Sequence, residues 1–245
     1  ARVQLELELQ CPIFTQLLLE IVYPHYTAPT PSMMIARMTP DPAQAGMEDG
    51  FLLPAGTPLR SPLREGDVTA CRFRTAHDVR LWPIEIAEAE YVDGRGELVA
   101  AGMGDDNDAR AAVRIRLRHM GGEPFSALGL DDLTLYLSGG GAQPWRLYET
   151  LVKDRVALYA RSTNRRADWV ERLGDCPVEP VGFEPDEALL PYPGQSFDGY
   201  RLLQEYFALP QRFFFIRLSE LRRGVERCEE PEIDLYVLLD EPVSE

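Results

Sequence analysis

Residues 111–119 read AAVRIRLRH: Val113, Ile115 and Leu117 alternate with Arg114, Arg116 and Arg118. A strict period of two is the mark of a strand with one buried and one wet face, so three arginines are expected side by side on a solvent face. Strand signals recur on both sides of this stretch, at Met33–Met38, Phe51–Leu53, Cys71–Thr75, Val79–Val92 and Leu133–Leu137. Turns at Pro54-Ala55-Gly56 and Asp93-Gly94 punctuate them, which predicts an antiparallel β domain. The alternation of apolar and acidic residues in VQLELEL, Val3–Leu9, predicts a short edge strand ahead of a helix carrying Phe14, Leu17, Leu18, Ile21 and Val22.

A weak repeat links the two halves. Ile115-Arg116-Leu117 is followed after seventeen residues by Leu135-Tyr136-Leu137, and Ile216-Arg217-Leu218 after sixteen by Leu235-Tyr236-Val237-Leu238. Read as a duplication, this predicts two sandwich-like β modules with a helical segment, Pro144–Tyr159, between them. That helix has Pro144 in its first turn and a stripe of Trp145, Tyr148, Val152, Val156 and Tyr159. A second helix is expected over Asp198–Leu209, with Tyr200, Leu203 and Phe207 on its buried side. The expected organisation is therefore α+β and mainly β: a strand-helix lead-in (1–32), a β-rich module (33–140), a helical connector (141–175) and a second β module with a helix (176–245).

Composition narrows the function. The chain has 245 residues, 45% of them hydrophobic, enough for a substantial core. Forty acidic residues against 25 basic ones give a formal charge of −15, which repels phosphate backbones and anionic membranes over the whole surface and leaves only a local arginine patch to bind either, so nucleic acid is not an expected partner and no direct membrane insertion is expected. All basic residues but Lys153 are arginines; arginine suits planar contacts at protein interfaces, and a GC-rich genome gives the same bias. Cys11, Cys71, Cys176 and Cys228 are far apart, without a CxxC or Cys/His cluster, and read as free cytosolic thiols. No run reaches the ~18 apolar residues that a membrane span needs.

Chemistry-bearing motifs are sparse. His25, His77 and His119 lack partners at metal-ligand spacing. Asp105-Asp106-Asn107-Asp108 lacks the glycine and closing glutamate of a calcium loop. The glycine runs Gly102-Met103-Gly104 and Ser138–Gly141 lack a phosphate-loop context. Asp67, Glu85, Glu88 and Glu90 could supply a carboxylate pair for glycoside hydrolysis, but they also suit the wet face of a strand. We therefore expect no catalytic residue, cofactor or metal. A carbohydrate-binding or carbohydrate-processing β sandwich is the alternative to an interaction protein. Tyr23, Tyr26, Trp82, Trp145, Trp169, Tyr192 and Tyr206 are candidate interface anchors, although each also fits a core. Trp82, just before Pro83, is expected to project from an edge strand. Gly139, Gly140 and Gly141 form a candidate hinge.

Three stretches resemble one family. LLLEIVYPHYTAPTPSMMI (17–35), the segment from GFLLPAGTPLRSP to CRFRTAHDVRLWPIEIAEAEY (50–91) and PYPGQSFDGYRLLQEYFALPQRFFFIRL (191–218) are similar, in order and spacing, to the type VI secretion baseplate subunits called TssF, VasA or ImpG. The resemblance implies a fold similar to phage baseplate wedge proteins. It also implies a structural role in a contractile injection machine, with two TssF copies joined to one TssG. TssK, TssE, the VgrG spike and the sheath would be further neighbours, in a cytoplasmic baseplate docked to the inner-membrane complex. Family members are longer, so further regions are expected at both ends of this chain.

Overall fold

A computed structural model describes residues 2–22, 24, 28–41, 47–63, 66, 68–106, 108–164, 169–174, 178–190 and 197–241. The chain divides into two units, each assembled from separate stretches: Ala1–Ala36, Pro54–Asp78 and Gly182–Phe213 in one, Arg37–Leu53, Val79–Val181 and Phe214–Glu245 in the other. The modules expected from the sequence are contiguous, whereas these units are interleaved.

The larger unit is built on a five-stranded antiparallel sheet. Its strands are β5 (Ile84–Asp93), β6 (Ala111–His119), β8 (Arg155–Ser162), β9 (Val170–Gly174) and β12 (Glu232–Leu239), in the order β5-β6-β12-β8-β9. Central β12, EIDLYVLL, is nearly continuous in apolar residues because both its faces are covered. Ile233, Leu235, Val237 and Leu239 enter one core with Ile115, Leu117, Leu158 and Ala160, while Tyr236 and Leu238 enter a second with Ala112, Ala157 and Tyr159. A three-stranded sheet, β10 (Val178–Pro180), β11 (Phe215–Leu218) and β7 (Leu133–Tyr136), contributes Val178, Ile216 and Leu218 to the first core. Helix α3 (Gln143–Lys153) adds Leu151, and α5 (Arg222–Arg227) adds Val225. Helix α2 (Arg95–Ala100) places Leu98 in the second core. Short β1 (Phe51–Leu53) pairs with β4 (Val79–Leu81) in the same unit.

The repeat is real as a pattern but its pairing is exchanged. Ile115 of the first IRL lies opposite Leu235 of the second LY strand, and Ile216 of the second IRL lies opposite Leu135 of the first. The two larger sheets therefore mix strands from both halves, and neither half makes a separate module. The connector also differs from expectation: α3 stops at Lys153, and Val156 and Tyr159 belong to β8, where two-sided burial next to β12 outweighs the helical stripe.

In the smaller unit, β2 (Pro58–Arg60) and β3 (Arg72–Arg74) form a hairpin. Helix α1 runs through Arg2–Val22 with Pro12 inside it, and helix α4 spans Asp198–Ala208. The strand expected at Val3–Leu9 is thus helix. Its leucines, glutamates and glutamine are strong helix formers, whereas Val3 is the stretch's lone β-branched residue. No strand forms over Met33–Met38.

Candidate partner-binding surfaces

Helix α4 is amphipathic in the reverse sense to that expected. Tyr200, Leu203 and Phe207 lie outward, with Phe207 81% and Leu203 56% exposed, and Phe197 and Tyr206 flank them. The inward face carries Arg201 and Glu205, both completely buried. These charges are satisfied locally. Arg201 donates from Nε to Asp198 (2.7 Å), from Nη1 to Glu205 (3.5 Å) and from Nη2 to the carbonyls of Phe183 and Glu184. Glu205 accepts the backbone N–H groups of Leu189 (2.9 Å) and Leu190 (3.2 Å) and Arg212 Nε (2.9 Å). Burial works against the Arg201 charge, but Asp198 and Glu205 outweigh it and raise its pKa.

The reason for the reversal lies in residues 182–190. Apart from the 3₁₀ turn Pro185–Glu187, this stretch has no regular element to occupy its backbone groups. Buried backbone donors and acceptors need partners, and the charged side of α4 supplies them. Glu187 closes the same stretch by accepting the N–H groups of Gly182 and Glu184. Gly182, at φ 115°, has no room for a side chain, because a Cβ would stand 2.7 Å from Arg212 Nη1. The spacing of Asp198, Arg201 and Glu205 at i, i+3 and i+7 signals an ion-paired helix face in the sequence, but does not say that this face is the buried one.

A second apolar surface lies on α1, where Ile13, Phe14, Leu17, Leu18, Ile21 and Val22 are 46–72% exposed.

On the large sheet, the arginines of β6 form a ladder. Arg116 holds Asp234 of β12 through Nε (2.7 Å) and Nη2 (2.8 Å), and Arg118 reaches Glu232 at 2.6 Å. On the other side, Arg114 bridges Glu88 (2.8 Å) and Glu90, and Arg118 lies 3.4 Å from Glu85. Arg116 is half-buried rather than solvated, and the Asp234 carboxylate raises its pKa. The carboxylates considered for glycoside chemistry, Glu85, Glu88 and Glu90, are therefore members of an ion ladder. Asp67 lies outside the described residues.

The remaining anchors divide. Trp82 is buried in the first core at 9% exposure, which corrects the expectation that it projects: β4 ends at Leu81, and Trp82 turns inward before β5 begins. Trp145 is 38% exposed and meets Phe214 edge-on at 4.5 Å. Trp169 packs against the first core with the Arg227 guanidinium 5.4 Å from its ring. Tyr206 is 43% exposed beside Phe207 and Phe213. Tyr23, Tyr26, Tyr192 and His25 lie outside the described residues. At the glycine run, Gly140 has open space around it and Gly141 adopts φ 61°, while a Cβ on Gly139 would touch Pro144 at 3.4 Å.

His77 and His119 lie among the described residues. His119 Nδ1 accepts the N–H groups of Gly121 and Glu123, and burial lowers its pKa. Burial and Arg212 lower that of His77, whose buried Nδ1 has no hydrogen-bond partner among the described residues. Among the described residues no group of three or more His, Cys, Asp or Glu could hold a metal, and no helix is long and apolar enough to cross a membrane.

Within the smaller unit, helices α1 and α4 both carry large apolar side chains that are exposed. The chain belongs to the family described as Type VI secretion system, TssF, which it matches over residues 1–245. It is 47% identical over 238 residues to the type VI secretion system component TssF1 of Pseudomonas aeruginosa, covering 97% of this chain and 38% of that relative. It thus spans little more than a third of the relative's length. It also resembles a chain in the cryo-electron microscopy structure of a TssK-TssF-TssG baseplate subcomplex, with a TM-score of 0.74 and 25% identity over 99% of this chain and 42% of that one.

Proposed function

We propose that the chain is a structural part of the type VI secretion baseplate, acting through protein interfaces and without catalysis. The observation that carries this reading is the end-to-end match to TssF, seen both in sequence and in a fold found within a baseplate subcomplex. The outward face of α4 supports it, since a helix held by buried ion pairs presents its apolar side with the backbone already ordered, which lowers the cost of binding. TssG and TssK are the first partners proposed, with two copies of the chain to one TssG. TssE, the VgrG spike and the sheath are more distant neighbours, and the complex works in the cytoplasm, docked to the inner-membrane complex.

Co-expression with the TssG and TssK of the same genome tests this reading. A ternary complex that survives gel filtration is the expected outcome. A folded chain that elutes apart from both would overturn it. The carbohydrate reading is weakened because three of its carboxylates, Glu85, Glu88 and Glu90, pair with arginines.

A further inference from the structure

Strand β5 is the longest strand of its sheet and stands at the edge, with no strand on its outer side among the described residues. Edge strands are ordinarily short, covered or blunted, because their open backbone groups pair readily with another chain. β5 is ten residues long and exposed over most of its length, Ile86 at 55%.

Its side chains are sorted by a bulge. Glu85 would face away from Glu88 and Glu90 on a regular strand, but the register shifts between Ile86 and Glu88, so Glu85 lies opposite Arg118, Glu88 opposite Arg116 and Glu90 opposite Arg114. All three glutamates share one face, and Ile84, Ile86, Ala89 and Tyr91, opposite His119, Leu117, Ile115 and Val113, share the other.

The arginines do not saturate this row. Arg116 and Arg118 make their shortest contacts with Asp234 and Glu232 of β12. Glu88 and Glu90 share Arg114, Glu88 also lies 3.6 Å from Arg116, Glu85 has the looser contact to Arg118, and these three side chains remain 46–55% exposed. All three stand on the edge strand of the described sheet, partly open to solvent.

We propose that the outer edge of β5 takes up an extended segment of a partner protein in which basic and apolar residues alternate. Main-chain pairing would extend the sheet, basic side chains would lie beside Glu85, Glu88 and Glu90, and apolar ones beside Ile86 and Ala89. A second copy of β5 is a poor occupant, because antiparallel self-pairing sets one glutamate row against the other. The chain's own strand of this character, β6, already lies between β5 and β12. The assembly role proposed above gives this edge its context, but the test stands apart from it and needs no baseplate component.

The probe is a labelled synthetic peptide with the sequence of residues 111–119, AAVRIRLRH, titrated into the intact chain at low ionic strength and followed by anisotropy. Saturable binding is expected, weakening as salt rises and accompanied by slower amide exchange in residues 84–93. Two altered peptides control for fold effects, one with glutamate at the three arginine positions and one with proline in place of the isoleucine; each should bind at least about tenfold more weakly. Glu88→Gln/Glu90→Gln in the protein should weaken the parent peptide similarly. No saturable binding, equal binding of the glutamate or proline peptide, or protection confined to residues outside 84–93 would overturn the proposal. Failure here would leave the co-expression result untouched.

Discussion

Glu205 accepts hydrogen bonds from two backbone amides and two guanidinium groups while fully buried, so it ties residues 182–190 to α4 and Arg212. Removing its charge takes the carboxylate contact from buried Arg212 and leaves Arg201 to Asp198, and breaking such a buried pair from one side costs ~3–5 kcal/mol. Glu205→Gln is expected to lower stability by about that amount in urea denaturation. Phe207→Ser, on the opposite face, is expected to change it by no more than ~0.5 kcal/mol. The reverse ranking would show that the apolar side of α4 is the structural one. The histidines give a pH signature at the same scale. His77 and His119 both have pKa values lowered from the ordinary 6.5, so the unfolded chain binds their protons more readily than the folded one. Their contribution is complete above about pH 6.5 and is lost as pH falls through the lower folded values. Denaturation midpoints measured from pH 7.5 downward should fall below pH 6.5, and His119→Gln should flatten that fall; a midpoint that rises on acidification would contradict the assignment.

Among elements, the Gly139–Gly141 connection into α3 is the part of the larger unit proposed to change between copies in an assembly. Gly140 has open space where a methyl group would stand, so Gly140→Ala restricts the backbone without a clash. Its effect on unfolding should stay within ~1 kcal/mol, with a clear loss of partner binding measured by titration; unchanged binding would remove the hinge. Much at this scale was legible in the sequence. The pattern of 111–119 gave β6 to the residue, and Asp198–Leu209 gave α4 to within one residue. Three features were not legible, each for a physical reason. The exchange of the IRL and LY partners depends on which strands meet in space, and a local repeat is silent about that. The facing of the β5 glutamates depends on one unpaired residue at a bulge, which shifts the phase of a period-two pattern. The inward face of α4 depends on the unmet backbone groups of a stretch distant in sequence, which override the rule that the apolar stripe is buried.

At the scale of the whole molecule, a formal charge of −15 opposes indiscriminate association, and exposed apolar side chains stand on both α1 and α4. We propose that α4 meets a baseplate partner through Leu203 and Phe207, which are 56% and 81% exposed. The most direct test is isothermal titration of the chain with its genome's purified TssG, alone and in complex with TssK, comparing the unaltered protein with Leu203→Ser/Phe207→Ser. Truncating a buried aromatic anchor costs at least ~2 kcal/mol, so binding of one of these two partners should weaken by about thirtyfold or more while unfolding midpoints stay unchanged. Equal affinity of the two proteins for both partners, with both fully folded, would contradict the account.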